Sequence, residues 1–523
     1  MSWTRQTGSI AIALWLATTS CTYRSSLHED ASFGISSNTH GVPPEVELYR
    51  DDWPLPNRDY DNTRANLKAA IDSRNVARLT EAWRLVIEPA AGPFGSVTGN
   101  PLILGDAVYL QDMSSHVHAL DRDTGKARWM FRHGETTVGP NGVAAAWGRL
   151  YANSGDTGIL ALDAKTGGEL WRFEPKLVQS EGIDIQPIAY DGRVFVASVP
   201  ASLRGAYLGG SRGVLFALDA ISGKESWRFD TVASDDLWGD PLNNAGGGAW
   251  YPPLIDLERK RTYWGTGNPA PWPGLPEAPS GSSRPGDNLY TSSLVALAAD
   301  SGKLIWHHQE RAHDLFDWDF QGSPLHVRAD ERRGVPELII GSGKTGTLVA
   351  LAADSGKLEW RAKVGRHEND ALTELPLNEA VRVYPGALGG VLTPIAYAQG
   401  RLFVPIVDMA AEYTGASVLP DLAGGRGALS ALDARNGELL WNVELPAPNY
   451  GAATVVNDLV LTSDADGRVY AFSVKDGSEV WHYDAPGGIN APLAVADDML
   501  LVPVGVSAAM LIALRLPRAD STK

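Results

Sequence analysis

The sequence predicts an all-β protein, an eight-bladed β-propeller with tryptophan-docking repeats. Two observations support this prediction. Seven segments share one pattern, Ala-Leu-x-x-x-x-Gly-x-x-x-Trp, and the shortest spacings between successive repeat tryptophans are about forty residues. That period suits one four-stranded sheet per repeat, and repeated sheets of this size are typical of propellers. The 523-residue chain is long enough for one large repeat architecture of this kind.

Each repeat predicts the end of a strand, a tight turn with glycine at a positive φ, and the start of the returning strand. The four-residue step from glycine to tryptophan is the same in every copy, so all the tryptophans should point to the same side. A large ring at that position is well suited to pack one unit against the next. The seven copies are Ala119 to Trp129, Ala161 to Trp171, Ala217 to Trp227, Ala296 to Trp306, Ala350 to Trp360, Ala431 to Trp441 and Ala471 to Trp481.

The two ends of the chain supply an eighth repeat. Leu511 to Pro517 copies the strand that precedes the turn, and Glu81-Ala82-Trp83 copies the tryptophan strand that follows it. We therefore expect Leu511 to Pro517 to pair with Glu81 to Glu88, because closing the ring removes the exposed edges of an open array. The predicted propeller spans residues 51–517, preceded by a flexible segment at 22–50 and followed by a disordered tail at 518–523.

The N-terminus predicts export. A positively charged residue precedes an apolar run from Ile10 to Ala17, and small residues follow up to Cys21. This run is too short to span a bilayer, and the pattern is typical of a secretory signal at 1–21. Cys21 lies where a bacterial lipoprotein signal places its acylated cysteine, although Thr18 replaces the usual leucine; ordinary cleavage near Ser20 is the alternative. We expect a periplasmic protein, membrane-anchored if Cys21 is lipidated.

Composition limits the classes of partner. The formal net charge of −17 argues against nucleic acid and against an anionic membrane surface. Glycine (55) and proline (33) are high for a helical protein, and one helix-like run stands out, Thr63 to Asn75. Because Cys21 is the only cysteine, the mature chain has no disulfide and no C-x-x-C-H haem attachment. Any electrons that the protein removes must therefore leave by a separate carrier.

One stretch between the repeats, from Gly246 to Asp319, has the composition of a functional site. Loops that keep tryptophan and paired carboxylates are more often sites than packing. A surface insertion whose aspartates make turns is the alternative. The segments concerned are GGGAW ending at Trp250, GTGNPAPW from Gly265 to Trp272, RPGDNLYTSS from Arg284 to Ser293, and HDLFDWDF from His313 to Phe320.

The repeat and these segments together resemble the quinoprotein dehydrogenases that use pyrroloquinoline quinone (PQQ), over nearly the whole mature chain from Asp52. The segments are similar to the alcohol-oxidising branch. HDLFDWDFQGSP, together with GGVLTP from Gly389 to Pro394, leans towards polyvinyl-alcohol-dehydrogenase-like members. The resemblance implies an alcohol dehydrogenase with PQQ and a metal ion, which passes electrons to an acceptor such as a cytochrome c. Non-catalytic propeller lipoproteins share the repeat, so a quinone-free scaffold or binding module is the alternative.

The resemblance also implies roles for five residues. Trp250 would form the floor beneath the planar quinone, and Asn268 would bind the metal through its side-chain oxygen. Asp317 would be the general base beside the metal. Asp319 faces the same way on an extended chain and would be a further ligand. Lys344 would be the cation next to the quinone oxygens. The implied metal is calcium, or a lanthanide because an extra carboxylate favours a trivalent ion.

Three departures from the family pattern affect this site. The metal-binding glutamate expected four residues before Arg212-Gly213 is replaced by Leu208. The adjacent cysteines that many members place above the quinone are missing, since the region is ETTVGPNG, from Glu135 to Gly142. Leu392 stands where a polar residue is usual. Losing a carboxylate weakens a divalent site, because the charge on the oxygen ligands sets affinity. Nearby, Asp287 and Asp314 are expected to be turn or N-cap residues, and His313 a structural hydrogen-bonding residue.

Overall fold

The structure is a computed structural model that describes residues 34–90, 92, 94–178 and 180–517. The predicted signal at 1–21, with Cys21, and the predicted tail at 518–523 lie outside the described residues. The fold is all-β and propeller-like, as the sequence predicts. Within the described residues, no helix is long and apolar enough to cross a membrane.

Eight sheets of four or five strands hold most of the regular structure of the described residues. We name them sheets A to H in chain order. Sheet A has strands Leu102–Leu104, Ala107–Gln111, Val117–Asp121 and Ala127–Phe131; sheet B has Val143–Ala146, Arg149–Ser154, Gly158–Asp163 and Glu169–Phe173; sheet C has Ile188–Tyr190, Arg193–Ala197, Val214–Asp219 and Glu225–Asp230; sheet D has Leu254–Asp256, Arg261–Gly265, Ser293–Ala298 and Leu304–Gln309. Sheet E has Leu325–Val327, Leu338–Gly341, Thr347–Ala352 and Leu358–Lys363; sheet F has Ala396–Ala398, Arg401–Asp408, Arg426–Asp433 and Leu439–Leu445; sheet G has Thr454–Val456, Leu459–Ser463, Arg468–Ser473 and Glu479–Asp484, with Ala65–Asn66 added in parallel; sheet H has Ala494–Ala496, Met499–Val504, Met510–Arg515 and Thr80–Val86.

Sheet H joins the two ends of the chain. Its last strand, Thr80–Val86, pairs antiparallel with Met510–Arg515, and Trp83 lies opposite Ala513. The same tryptophan-to-alanine register occurs inside the repeats, for example between Trp306 and Ala296 in sheet D. The predicted pairing of the terminal strands is therefore confirmed.

The repeat glycine and tryptophan meet across neighbouring sheets. The seven turn glycines have φ between +67° and +74°. A Cβ added to any of them would lie 2.5–2.8 Å from the tryptophan of the preceding sheet. The indole Nε1 of that tryptophan donates a hydrogen bond of 2.8–3.3 Å to a carbonyl just before the glycine. Glycine is therefore needed twice at this position, for the backbone conformation and for the space.

The hydrophobic core lies between adjacent sheets. One cluster packs sheet A on sheet B through side chains such as Leu102 and Leu150, and another packs sheet D on sheet E around Trp306. A further cluster joins sheet H to sheet A through Leu511 and Val108. Burial of these apolar faces is the main stabilising contribution to a fold of this kind.

The expected helix at Thr63 to Asn75 is wrong. Ala65–Asn66 is extended and pairs with sheet G, and only Val76–Arg78 forms a short 3₁₀ turn. The tertiary environment overrides the local pattern here. The Arg64 side chain is fully buried, and its guanidinium donates to carbonyl and amide oxygens just before the first strands of sheets A, G and H.

The described part of the segment expected to be flexible, 34–50, is ordered against the sheets. It contains the helix Pro44–Leu48. Val46 is buried in the core cluster of sheets B, C and D, and the Glu45 carboxylate accepts the Gly148 N–H at 2.8 Å. These contacts explain why this part is not free in solution.

Short elements cover one side of the sheets near the Gly246 to Asp319 stretch. They are the strand pairs Ala201–Ser202 with Gly205–Ala206 and Ala245–Gly246 with Pro269–Ala270, the 3₁₀ turn Leu237–Gly239, and a three-stranded sheet of Val381–Val383, Ala411–Thr414 and Ser417–Pro420. The three-stranded sheet packs on Phe316 and Trp318, the residues that flank Asp317. It therefore holds this part of the stretch in place.

Candidate functional site

Three separate chain segments run side by side at the site. Thr266 forms a β-bridge with Phe320. The backbone N–H of Asn268 donates to the Asp319 side chain at 2.9 Å, and the backbone N–H of Lys344 donates to the Asp319 carbonyl at 2.9 Å. The structure thus brings Asn268, Asp319 and Lys344 together, as the sequence predicts.

Lys344 bridges the two predicted carboxylates. Its Nζ lies 3.0 Å from Asp317 Oδ2 and 2.6 Å from Asp319 Oδ2. All three residues are buried. Asp317 and Asp319 therefore face the same side of their segment, and one ammonium group neutralises half of their combined charge.

The electrostatics of this group follow from burial and from its own charges. Burial raises the pKa of Asp317 well above its ordinary value; the Lys344 charge opposes this shift and the Asp319 charge adds to it. Burial lowers the pKa of Lys344, but attraction to Asp317 and Asp319 is stronger, so its pKa is raised overall. Lys344 is consequently charged near neutral pH, and Asp317 is a better proton acceptor than an exposed aspartate.

The turn that carries Asp317 is held by Asp314. The Asp314 carboxylate accepts the N–H of Phe316 at 3.1 Å and of Trp318 at 3.0 Å, which is the turn role predicted for it. Asp317 itself has φ +65°. Non-glycine residues in the left-handed region are uncommon, and they occur most often where a site constrains the backbone.

His313 makes hydrogen bonds to the backbone. Its ring nitrogens lie 3.3 Å from the Gly286 carbonyl and 3.2 Å from the Ser280 carbonyl. These contacts fit the structural role predicted for it, and they tie the loop around Asp287 to the start of the Asp317 turn.

Tyr207, and not Leu208, is the residue that contacts Asn268, the predicted metal ligand. Leu208 is 47% exposed, whereas the Tyr207 hydroxyl donates to Asn268 Oδ1 at 3.3 Å. The Tyr207 ring also packs edge-on against Trp272 at 4.4 Å. Sequence reasoning identified Leu208 only as the replacement of the usual glutamate, and it did not consider Tyr207, whose backbone is irregular at φ +53°.

Trp250 presents a ring that is only partly buried. Its Nε1 is buried and has no hydrogen-bond partner among the described residues. The segment from Glu135 to Gly142, where the family often has its cysteines, touches this ring. A Cβ on Gly139 would lie 2.7 Å from Trp250 Cζ3 and 2.9 Å from the Cβ of Asp184.

Lys344 acts electrostatically on Tyr251, the residue after Trp250. Burial raises the pKa of Tyr251, and the charges of Arg64 and Lys344 oppose that shift. The GGVLTP segment lies on the backbone of Lys344, since the Val391 N–H donates to the Gly343 carbonyl at 3.0 Å. Leu392 in this segment is partly buried.

Sequence reasoning missed Tyr207 and Asp184. Tyr207 belongs to the loop that was searched, so a search for any oxygen donor beside Leu208 would have found it. Asp184 lies in an apolar segment, GIDIQP, and no spacing connects it with Trp250. Only the packing of the 135–142 segment brings them together.

Two family models match the chain. The model described as glucose/ethanol/alcohol dehydrogenase, beta-propeller domain, matches residues 53–145 and 182–361, which is more than half of the chain. The model described as outer membrane protein assembly factor BamB matches residues 114–245 and 389–515. The first match contains all five residues predicted for the site.

Named relatives are similar over most of their length. The chain is 28% identical to the quinohemoprotein alcohol dehydrogenase of Comamonas testosteroni, over 86% of this chain and 71% of that protein. It is 25% identical to the lanthanide-dependent methanol dehydrogenase of Methylacidiphilum fumariolicum, over 88% and 85% of the two chains. The crystal structure of the Comamonas testosteroni enzyme superposes with a TM-score of 0.76 at 22% identity, covering 90% of this chain and 82% of that one. The superposition shows that the two chains share a fold.

Proposed function

The chain belongs to the PQQ-dependent quinoprotein alcohol dehydrogenase family, and we propose that it oxidises an alcohol with PQQ and a bound metal ion. The proposal includes transfer of the electrons to a separate acceptor, such as a cytochrome c, in the periplasm. The single observation that carries it is the buried group of Lys344, Asp317 and Asp319, with Lys344 Nζ within 3.0 Å of both carboxylates.

The residues present fit PQQ. A flat aromatic cofactor that carries carboxylates and carbonyl oxygens needs an aromatic surface, a cation and hydrogen-bond donors. The partly exposed ring of Trp250 supplies the surface and Lys344 supplies the cation. Lys344 also supplies N–H donors for the cofactor oxygens. PQQ is the cofactor of this family.

The metal donors are all oxygen atoms, which suits calcium or a lanthanide, the metals of this family. Asn268, Asp317 and Asp319 would hold the ion. Among the described residues, no three His, Cys, Asp or Glu side chains form a group suited to a metal, so the site depends on the Asn268 amide. Tyr207 already donates to that amide oxygen, and Lys344 reduces the negative charge. Both features favour a weakly held ion.

The residues of this chain can perform the proton chemistry of alcohol oxidation. Asp317, whose pKa is raised by burial, would accept the proton of the substrate hydroxyl. Lys344 would stabilise negative charge that develops beside it, since its pKa is raised by the two carboxylates. Trp250 and the segment around Gly139 would fix the plane of the cofactor and exclude water. PQQ, when bound, supplies the acceptor for the carbon-bound hydrogen and its electron pair.

The proposal extends to the architecture. Sheets A to H would be the eight blades of one ring spanning residues 51–517, closed through sheet H and docked by the repeat tryptophans. The shared cluster of sheets H and A and the indole hydrogen bonds between sheets support this arrangement. The site would lie on the ring face that carries the strand pairs Ala201–Ser202 with Gly205–Ala206 and Ala245–Gly246 with Pro269–Ala270.

Location and preference within the family are also proposals. The pattern up to Cys21 supports an exported protein, lipid-anchored through that cysteine, and a Cys21→Ser variant should then leave the membrane fraction. The GGVLTP and HDLFDWDFQGSP segments support a place near the polyvinyl-alcohol-dehydrogenase-like members. A comparison of secondary alcohols with short primary alcohols would test that preference.

A quinone-free scaffold or binding module is the second candidate. The contact of Tyr207 with Asn268 Oδ1 favours it, because this contact fills a predicted ligand position from within the protein. The match to the assembly-factor model over 114–245 and 389–515 is consistent with it. In that case Lys344, Asp317 and Asp319 would be a structural ion-pair network.

Reconstitution separates the two candidates. Purified protein is incubated with PQQ and either calcium or a lanthanide, and dye reduction and melting temperature are measured across a series of alcohols. The enzyme proposal expects dye reduction that is lost in Asp317→Asn, with binding of PQQ retained. If PQQ with either metal changes neither quantity, the enzyme proposal is wrong and the scaffold remains.

A further inference from the structure

Asp184 is a buried carboxyl group with one oxygen left unpaired. Its side chain is fully buried. Oδ1 accepts the Val138 N–H at 3.0 Å, whereas Oδ2 has no hydrogen-bond partner among the described residues. Leaving a buried carboxyl oxygen without a partner is costly, so such an atom in a folded protein usually serves a ligand or a water.

The Asp184 side chain lies beside the Trp250 ring. A Cβ at Gly139 would lie 2.7 Å from Trp250 Cζ3 and 2.9 Å from Asp184 Cβ, and a Cβ at Gly182 would lie 2.8 Å from the unpaired Asp184 Oδ2. The Nε1 of Trp250 is likewise buried and unpartnered. Two neighbouring side chains therefore each carry one polar atom without a partner, which points to a ligand at this place.

The charges around Asp184 are negative. Asp156, from the turn between two strands of sheet B, raises the pKa of Asp184 further. Glu181 lies three residues earlier, and its carboxylate accepts the N–H of Arg212 and of Val178. Glu135 is at the start of the segment that donates to Asp184, and a Cβ on Gly155 would lie 2.6 Å from its Oε2. The Asp156 charge therefore disfavours ionisation of Asp184.

We propose that Asp184 binds PQQ as a hydrogen-bond donor through a protonated Oδ2, so that cofactor binding to the ionised protein takes up one proton from solvent. This inference rests on the proposed function. The carboxylates and carbonyls of PQQ are acceptors, and two facing acceptors need one shared proton to make a hydrogen bond. The proton goes onto Asp184 Oδ2 and bridges it to an oxygen of the cofactor. Asp184 is thus a binding residue that makes cofactor affinity depend on pH.

The dependence of PQQ affinity on pH should appear at a pH at which the experiment can be done. Burial raises the pKa of Asp184 to about 7; the nearby Gly139 N–H, which does not reach hydrogen-bond geometry, and the Val138 hydrogen bond lower it. Below that pH the free protein already carries the proton, and binding is independent of pH. Above it, each unit of pH makes the protonated form about tenfold rarer, so the dissociation constant should rise about tenfold per unit.

The experiment measures the affinity of the full chain for PQQ by quenching of tryptophan fluorescence, with calcium present. The pH is varied from about 6 to about 9, a range in which the carboxylates of PQQ stay ionised. The variant Asp184→Asn keeps an acceptor for the Val138 N–H and places an amide donor at the other position. Its affinity should be flat across the range. Asp156→Asn is the matched control, because it removes only the neighbouring charge and should move the break in the wild-type curve to lower pH.

The outcomes are separable. A wild-type affinity that does not depend on pH, or an equal slope in wild type and Asp184→Asn, overturns the inference and leaves the proposed function intact. Absence of PQQ binding at every pH overturns the proposed function and this inference with it. An Asp184→Ala variant that is less stable but binds PQQ as tightly as wild type would show that Asp184 only anchors the 138–139 backbone, which also overturns the inference.

Discussion

The turn glycine of each repeat must leave room for a tryptophan, and Gly356 is the place to measure this requirement. Its φ is +69°, and a Cβ would lie 2.6 Å from Cε3 of Trp306, a buried ring whose Nε1 donates to the Ala353 carbonyl at 3.1 Å. Alanine in the left-handed region costs about 1–2 kcal/mol. Overpacking against a fixed ring adds about 1–3 kcal/mol. Gly356→Ala should therefore lower the free energy of unfolding by about 2–5 kcal/mol.

Gly334 supplies the matched control. Its φ is +64°, and a Cβ there would have no heavy atom within 4 Å. Gly334→Ala should show only the backbone effect, about 1–2 kcal/mol. Equilibrium unfolding in guanidinium chloride measures both losses, and their difference reports the clash with the ring.

A double-mutant cycle identifies the ring as the cause. In a Trp306→Ala background the space beside Gly356 is open, so Gly356→Ala should cost no more than Gly334→Ala does. Equal losses for the two glycine variants in the wild-type background would refute the reasoning. So would a Gly356→Ala loss that stays the same when the ring has been removed.

The other predictions concern the core, the site and the chain ends. Trp306→Ala should cost about 3–5 kcal/mol in the same unfolding assay, while turnover per folded molecule is unchanged; a stable variant with lost turnover would contradict this. Asp317→Asn should abolish turnover with either metal and leave the melting temperature near that of wild type, because an amide cannot accept the alcohol proton. Because burial raises the pKa of Asp317, the kcat/KM of the wild-type protein should fall as pH decreases, with an apparent pKa above that of a free aspartate. A kcat/KM that does not change with pH would count against Asp317 as the base. Lys344→Met should destabilise the fold by about 3–5 kcal/mol, because it leaves buried carboxylates unpaired. Lys344→Arg should recover part of the loss. A stable Lys344→Met variant would argue against the ion pairs. Deleting the residues after Ala508 removes the strand that pairs with the N-terminal one, so the melting temperature should fall, and unchanged melting would show that this pairing is dispensable.

Much of the site could be predicted because its residues lie in short motifs whose local geometry is regular. Asp317 and Asp319 are two residues apart and do face the same cation, although Asp317 is in the left-handed region and not extended as expected. The glycine of GTGNP and the glycines of GSGKTG allow close approach of the backbones that carry Asn268 and Lys344. The sequence could not predict the contact of Tyr207, because its loop has an irregular backbone and counting along the chain cannot tell which of two neighbours points towards Asn268.

The sequence by itself determined the repeat. The spacing of glycine and tryptophan defines a turn that only glycine can make and a ring in a constant register, and both effects act over a few residues. The tertiary structure alone decided the chemistry of the site. The proximity of Asp184 to Trp250, the contact of Tyr207 with Asn268 and the raised pKa of Asp317 all depend on segments far apart in the chain. The physical reason is that desolvation and pairing of a charged group are set by its neighbours in space, and no local pattern specifies them.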